Sequence, residues 1–456
     1  MATLESSETV TIIGGGLVGS LLAIFLARRG FRVDVYERRP DMRTQSVSAG
    51  RSINMAMSRR GIHALEQVGV IDEIMPLAIP MRGRMIHPVS GELKLQPYGK
   101  NEREVIHSVS RAELNKTLLS AADRYEGVRL CFEEKCVAMD VRSGEVTMQN
   151  GQGENWSFIS DRVLASDGSG SAVRAAMQDA GRFNFSQEFL DHGYKELTIP
   201  PASDGSFSIE PNALHIWPRG QYMLIALPNP DGSFTCTLFF PFEGTDSFDG
   251  LSDKDQVAAF FERQFPDAMT LMPNLSDMFF DNPTGTLVTV KCFPWHYQSR
   301  VLLMGDAAHA IVPFFGQGMN CGFEDCTVLD DCIGQYWPDW ERVFQSFGYR
   351  RKDNADAIAD MALTNYIEMR DRVSDAKFML QSSVGLALEM RFPQFFIPKY
   401  SMVSFHRVPY SEALQRGKIQ EEILQALCGP ITSVEDVDWN LAEQLVKDRL
   451  GKYQES

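Results

Sequence analysis

No long run of Lys or Arg occurs in this chain: 44 basic residues are scattered among 60 acidic ones, and the formal net charge is -16. A duplex-binding surface displaces counterions with a basic stripe, so the composition argues against nucleic acid as a partner. The cysteines (Cys131, Cys136, Cys236, Cys292, Cys321, Cys326, Cys332 and Cys428) show no C-x-x-C spacing, which argues against a zinc site. At 456 residues the chain is also too long to need a disulfide scaffold. Reduced, mostly buried thiols in a reducing compartment are expected, and no metal. Internal repeats and low-complexity tracts are missing too. The nearest thing to a membrane segment is 18 uncharged residues from Val10 to Ala27, preceded by Glu5 and Glu8 and by no base, unlike a signal peptide. A buried strand running into a buried helix gives the same hydropathy. The last stretch, with Glu435, Asp436, Asp438 and Lys447, carries too much charge to span a bilayer. A soluble, cytoplasmic protein without a membrane anchor is expected.

What is present reads as a globular chain, 44% hydrophobic and 23% charged. At ~150 residues per domain the length suggests about three lobes. Thr9–Ile13 is a short β-branched run, followed by Gly14-Gly15-Gly16-Leu17-Val18-Gly19 and an apolar stretch to Arg29 that Gly30 ends as a cap. Phe31–Glu37 then alternates with period two. This is strand, turn, helix, strand, with Gly14, Gly16 and Gly19 in G-x-G-x-x-G positions. One glycine permits the tight turn, one lets a pyrophosphate approach the backbone, and one lets helix pack on strand. The helix start would face the phosphates with its positive end, and Glu37, 18 residues after Gly19, could accept ribose hydroxyls.

The texture changes between about His192 and Gly244. Tyr222–Leu227 and Phe234–Phe240 flank Pro228-Asn229-Pro230-Asp231-Gly232-Ser233, which predicts a hairpin in an antiparallel sheet. Strand character returns at Val301–Met304, so the first lobe should be discontinuous, and helices should dominate from Phe323 to the final Leu441–Leu450. Two further clusters follow apolar runs: Ala165-Ser166-Asp167-Gly168 through Arg174, and Gly305-Asp306-Ala307-Ala308-His309 continuing into Pro313-Phe314-Phe315-Gly316-Gln317-Gly318-Met319-Asn320. Either one alone reads as a turn.

Together, the three ordered motifs resemble the aromatic-hydroxylase family of flavoprotein monooxygenases. The resemblance implies an α/β chain (α+β overall). It would have a Rossmann-like FAD lobe (1–75, 105–185, 285–330), an inserted antiparallel β-sheet substrate lobe (76–104, 186–284) and a C-terminal helical region (331–456). It implies Asp306 on the ribityl chain, and backbone N–H groups of Gly318, Met319 and Asn320 on the pyrimidine edge of the flavin. Asp167 would serve FAD and the nicotinamide donor; no second fingerprint for that donor is found. Leu17, Val18, Arg38, Ala56, Arg111 and Val137 are further cofactor positions by the same resemblance. His309 reads as scaffold of the flavin site, and no catalytic side chain is expected because the flavin carries the chemistry.

Arg51-Ser52-Ile53-Asn54, Met81–Met85, Leu95–Gly99, His192–Glu196, Pro211–Pro218, Ser233–Phe239 and Tyr400–Val403 narrow the resemblance to the kynurenine-hydroxylating branch of that family. This branch uses FAD, NADPH and O2, through a flavin C4a-hydroperoxide, to make 3-hydroxy-L-kynurenine from L-kynurenine in tryptophan catabolism and NAD biosynthesis. The resemblance puts Arg84, Tyr98, Asn365 and Tyr400 on the amino-acid end of the substrate, with Glu368 facing it. Leu214, Met223, Ile225, Leu227, Phe239, Pro313 and Phe314 would surround the ring. On residue type alone, Arg84 reads equally as a surface ion-pair residue, Tyr98 and Tyr400 as core aromatics, and Met223, Ile225 and Leu227 as plain sheet core. A hydroxylase of another aromatic, a phenol or salicylate, shares the flavin motifs but needs no amino-acid clamp. A halogenase lacks support, since no W-x-W-x-I motif occurs, and a non-catalytic flavin partner would show degraded motifs. A monomer or homodimer is expected.

Overall fold

The computed structural model describes residues 8–44, 54–89, 92–372 and 375–453; Arg51, Ser52 and Ile53 of the sequence resemblance lie outside the described residues. Two compact units form: residues 1–77, 109–189 and 288–359, and residues 78–108, 190–287 and 360–456. The long helix Trp340–Ile367 belongs to the first unit as far as Ala359.

In the first unit a six-stranded sheet runs in the order 296–297, 301–303, 163–165, 9–13, 32–37, 128–132. All its pairings are parallel except the edge pair His296–Tyr297 with Val301–Leu303. Thr9–Ile13 lies at the centre with helices on its flanks, which is why it is a continuous β-branched run and not an alternating one. The helix Leu17–Arg28 is almost wholly buried and packs on the helices Arg111–Asp123 and Gly318–Tyr336. Its chain leaves through Gly30 at φ +92°, a left-handed conformation that glycine adopts without penalty. Seven of the eight cysteines are buried, and all are free thiols.

The second unit is built on a seven-stranded sheet in the order 284–293, 184–199, 234–241, 223–228, 213–218, 83–86, 94–97. The expected hairpin is there, with Met223 opposite Phe239 and Pro228 opposite Phe234. One pairing departs from the antiparallel expectation: Gly83–Ile86 runs parallel to Ala213–Pro218.

Strand side chains alternate between faces. Leu197, Trp217, Leu224, Ala226, Leu238 and Phe240 point to the face covered by the helices Lys254–Gln264, Pro266–Met269 and Leu275–Asp281, where Phe260, Phe261, Phe265 and Phe279 complete an apolar cluster. Each buried Leu or Phe among them contributes about 1.5–3 kcal/mol by leaving water. Leu214, Met223, Ile225, Leu227 and Phe239 have the opposite parity and belong to the other face. Farther along, Val384, Leu388, Phe396, Ile423, Leu427 and Val446 hold the C-terminal helices Ala376–Arg391, Tyr410–Cys428 and Trp439–Arg449 together. No helix among the described residues is long and apolar enough to cross a membrane.

A polar chain crosses the edge of the helix-covered core. Asp267 Oδ2 accepts from Trp217 Nε1 (2.9 Å) and faces His87 Nδ1 at 2.7 Å; His87 Nε2 lies 2.8 Å from His215 Nδ1. His215 Nε2 lies 2.7 Å from the Glu210 carbonyl, which can only accept, so that nitrogen carries the proton. Burial pushes the His215 pKa down to about 4, against the pull of the Glu210 carbonyl. The fold thus keeps His215 neutral while the unfolded chain protonates near the ordinary value. Stability contributed by this residue is complete above pH ~6.5 and declines as the pH falls toward ~4, by about 3 kcal/mol in all. Unfolding measured from pH 7 to pH 4 should show this decline, and His215→Gln should remove part of the slope. An unchanged slope in the variant would contradict it.

Candidate functional site

The turn after Thr9–Ile13 is fixed from several sides. Gly14 has φ +101° and donates its N–H to Tyr36 O (2.8 Å); a Cβ there would lie 2.5 Å from Ser166 O. A Cβ on Gly19 would lie 1.9 Å from Gly14 O and 2.6 Å from Ser166 Oγ, so helix and strand meet with no room for a side chain. Gly16 is the opposite case: among the described residues a Cβ there meets nothing within 4 Å, and no side chain caps the helix that begins at Leu17. Open backbone at an uncapped helix N-terminus is where a pyrophosphate fits. Glu37 ends its strand as expected, but its carboxylate already grips the turn: Oε2 accepts from Gly15 N (2.9 Å), and Oε1 from Arg39 N (3.0 Å) and Arg39 Nε (2.7 Å). Lone pairs remain for a further donor.

Ser166 and Asn115 brace the turn, and sequence reasoning gave them no role. Ser166 Oγ donates to Gly14 O (2.9 Å); Asn115 Nδ2 donates to Gly15 O (3.2 Å) while its Oδ1 accepts from Ser20 Oγ (3.0 Å). Ser166 sits within a quoted motif, so its position carried a signal; Asn115, on a remote helix, carried none.

The other motifs converge on the same turn. Asp167 Oδ2 accepts from Ala172 N (2.9 Å), while Oδ1 is buried without a hydrogen-bond partner among the described residues. Burial raises the Asp167 carboxyl above its ordinary value, against the pull of Ser171. Arg174 Nη1 donates to Ala307 O (2.9 Å), joining the second motif to the third. Asp306 is exposed at the start of the short turn Asp306–His309, and a Cβ on Gly305 would lie 3.1 Å from Val18 Cγ2. Asn320 Nδ2 donates to both Ala56 O and Gly316 O (2.8 Å each), and its Oδ1 accepts from Ser58 N (2.9 Å). Leu17 and Met319 are buried beside these groups, and Gly318 opens the helix Gly318–Tyr336. Arg38 and Arg111 are exposed, and Val137 is half-buried in the strand Glu134–Asp140. His309 is buried with Nε2 2.6 Å from Asp325 Oδ2. Burial pulls its pKa down, but Asp325 and Cys321 together lift it well above the ordinary value.

In the second unit Arg84 stands beside Leu214 in register, so it shares the face that carries Met223, Ile225, Leu227 and Phe239. Its guanidinium carbon lies 5.6 Å from the centre of the Tyr98 ring and 5.2 Å from that of Tyr400. The two rings stack at 5.0 Å with 11° between their planes. Arg84 Nε and Tyr98 Oη are buried without a hydrogen-bond partner among the described residues. Burial above all, with Tyr400 adding to it, keeps the Tyr98 hydroxyl well above its ordinary pKa, and burial likewise raises Tyr400 against the pull of Arg84. Both stay neutral donors.

Asn365 is buried, with Nδ2 3.3 Å from Met369 Sδ. Glu368 opens the wider turn Glu368–Arg372, 3.7 Å from Lys399 Nζ, which also pairs with Glu421 at 3.0 Å. Lys399 precedes Tyr400 and was not foreseen. Pro313 and Phe314 fall in the first unit, in the turn Pro313–Phe315.

A family model for an FAD binding domain matches residues 7–189 and 288–336. The chain is similar to a kynurenine 3-monooxygenase of Myxococcus xanthus, 52% identical over 98% of this chain and 96% of that one. It is also similar to proteins of the same description from Xanthomonas campestris pv. campestris, at 48% over 99% and 98%, and from Flavobacterium johnsoniae, at 47% over 96% and 98%. Among solved structures, a tetrameric form of 2-methyl-3-hydroxypyridine-5-carboxylic acid oxygenase matches with TM-score 0.65 at 19% identity, covering 84% of this chain and 98% of that one. PqsL of Pseudomonas aeruginosa in complex with 2-aminobenzoylacetate matches with TM-score 0.61 at 19% identity, over 80% and 98%. Likeness at that identity speaks for the fold alone.

The two glycines of the turn should separate by experiment. Gly19→Ala places a methyl against backbone and should lower apo-protein stability by about 1–3 kcal/mol. Gly16→Ala meets open space, so it should leave apo stability unchanged while weakening FAD binding. Equal effects of the two on apo stability would contradict the geometry.

Proposed function

Because the chain belongs to the kynurenine 3-monooxygenase family, we propose that it is an FAD-dependent monooxygenase that adds one oxygen atom to L-kynurenine, giving 3-hydroxy-L-kynurenine, with NADPH and O2 as co-substrates. Beyond descent, one arrangement carries the reading: Arg84 Nε and Tyr98 Oη, buried and without a hydrogen-bond partner among the described residues, at the border of an apolar sheet face. L-Kynurenine is an ortho-aminophenyl ketone with an amino-acid end, so its site must neutralise a carboxylate, hold an ammonium and bury a ring. A phenol or salicylate hydroxylase has no use for the first two.

In this reading Arg84 takes the carboxylate, because a planar guanidinium fork suits two oxygens, and the neutral hydroxyls of Tyr98 and Tyr400 complete the clamp. The stacked tyrosines hold the guanidinium in place and leave it little freedom to lose on binding. Asn365 offers an amide to the same end, and Glu368, kept beside Lys399, offers its carboxylate to the ammonium. Leu214, Met223, Ile225, Leu227 and Phe239 give the ring a dry surface. Gly14, Gly16, Gly19, Glu37, Asp167, Asp306 and the Gly318–Asn320 backbone hold FAD, aided by Leu17, Val18, Arg38, Ala56, Arg111 and Val137. When bound, FAD supplies electron transfer from NADPH and activation of O2. The amino group of the substrate already activates the ring position ortho to it, so the side chains need only position the ring and exclude water.

The test follows NADPH oxidation by the FAD-loaded protein in air, with and without L-kynurenine, and identifies the product by mass. Stimulation with a product heavier by one oxygen atom is expected; no stimulation with FAD bound would overturn the substrate. Arg84→Ala should raise KM for L-kynurenine by about 30-fold or more, the scale of a buried charge pair losing one partner (~2–5 kcal/mol). An unchanged KM would remove Arg84 from the clamp.

A further inference from the structure

The helix Gly318–Tyr336 carries two adjacent buried carboxylates, Glu324 and Asp325. Taking two anions out of water is costly unless every oxygen is paired. Here they are. Glu324 bonds Arg60 and Arg351 through its two oxygens. Asp325 Oδ1 accepts from Arg351 Nε at 2.7 Å; Oδ2 accepts from Gly305 N at 3.0 Å and faces His309 Nε2 at 2.6 Å. Arg351 Nη2 adds a bond to Cys321 O at 3.2 Å. Burial works against ionisation of both carboxyls, yet Arg60 and Arg351 hold Glu324, and His309 and Arg351 hold Asp325, below the ordinary range.

The placement of the Asp325 bonds goes beyond charge neutralisation. Gly305 and His309 are the two ends of the turn that carries Asp306. Four residues make one helical turn, which has no stability of its own in water. Gly305 sits at φ +55°, ψ -139°, a conformation open essentially to glycine and held only when the surroundings fix it. One carboxylate oxygen therefore grips the turn at both ends and leaves Asp306 exposed between them. The helix that bears Asp325 starts at Gly318, and its Asn320 is bonded to Ala56, Ser58 and Gly316. Two segments assigned to flavin are thus registered on one rigid element.

We propose that Asp325 is a positioning residue for flavin: it fixes the turn from Gly305 to His309, and with it the Asp306 carboxylate, relative to the helix start at Gly318. The inference rests on the reading of Asp306 as a flavin-holding residue. It is tested by a double-mutant cycle on FAD dissociation constants, measured by fluorescence on the full-length apo-protein with Asp306→Asn, Asp325→Asn and the pair. Apo stability and the visible circular dichroism of bound flavin are recorded for each. Each single variant should weaken FAD by about 10-fold or more, the scale of a hydrogen bond to a charged group. The pair should be little weaker than the worse single, because a misplaced Asp306 has nothing left to lose. Asp325→Asn should also change the flavin dichroism. His309→Ala, which frees only the far end of the turn, carries the same cycle if Asp325→Asn does not fold. Losses that multiply, or a folded Asp325→Asn that binds FAD like the parent, would overturn the inference and leave Asp306 standing. An Asp306→Asn variant with unaltered affinity would overturn the Asp306 reading and this inference with it.

Discussion

A helix can lie against the strand that feeds it only where neither puts a side chain between them, and here that condition falls on Gly19 and Gly14. Gly14 must also take a positive φ to turn the chain at once after Ile13. From this contact follow the direction of the helix Leu17–Arg28, the open backbone at Gly16, and the surface on which the helix Gly318–Tyr336 docks. Ser166, Asn115 and Glu37 then bind the turn through side chains, so the geometry does not depend on a ligand to exist. Pre-formed donors lose little freedom when they meet an anion, which is what a firmly held cofactor needs.

The second unit solves a different problem with period two. One face of its sheet is committed to a phenylalanine-rich core under three helices, which supplies rigidity. The other face holds an apolar set, bordered by Arg84 and two stacked tyrosines, and there Arg84 Nε and Tyr98 Oη are buried without a hydrogen-bond partner among the described residues. Orphaned donors beside dry surface cost stability, and their retention is the mark of a site that a ligand completes. The buried His87 and His215, joined to the exposed Asp267, anchor the opposite side of the same strands, so Arg84 sits on a frame that is firm at neutral pH.

Local signals made much of this legible in the sequence. The glycine turn, the alternating Phe31–Glu37 run and the Pro/Gly/Asn/Asp turn at 228–233 each act within a few residues, and the strands, helix and hairpin stand where those signals put them. Period two shows that Met223, Ile225 and Leu227 share a face, but not that the covering helices lie on the other one, because those helices arrive some thirty residues later. The parallel pairing of Gly83–Ile86 with Ala213–Pro218 joins segments far apart in the chain, and nothing local announces it. The clamp of Arg84, Tyr98 and Tyr400 came from family resemblance, since residues so widely spaced carry no pattern of their own. Glu324 and Asp325 had a faint signal, adjacent acids inside a mostly buried helix, but their partners Arg60 and Arg351 are visible only in three dimensions.

The proposed recognition of the amino-acid end of the substrate by Arg84, Tyr98 and Tyr400 rests on charge pairing with the carboxylate. Its most direct test compares turnover of L-kynurenine with that of kynurenamine, which lacks only the carboxylate, on the FAD-loaded protein. The account predicts kcat/KM lower for kynurenamine by about 100-fold or more, the cost of leaving a buried cation without its anion. Equal kcat/KM values would contradict it.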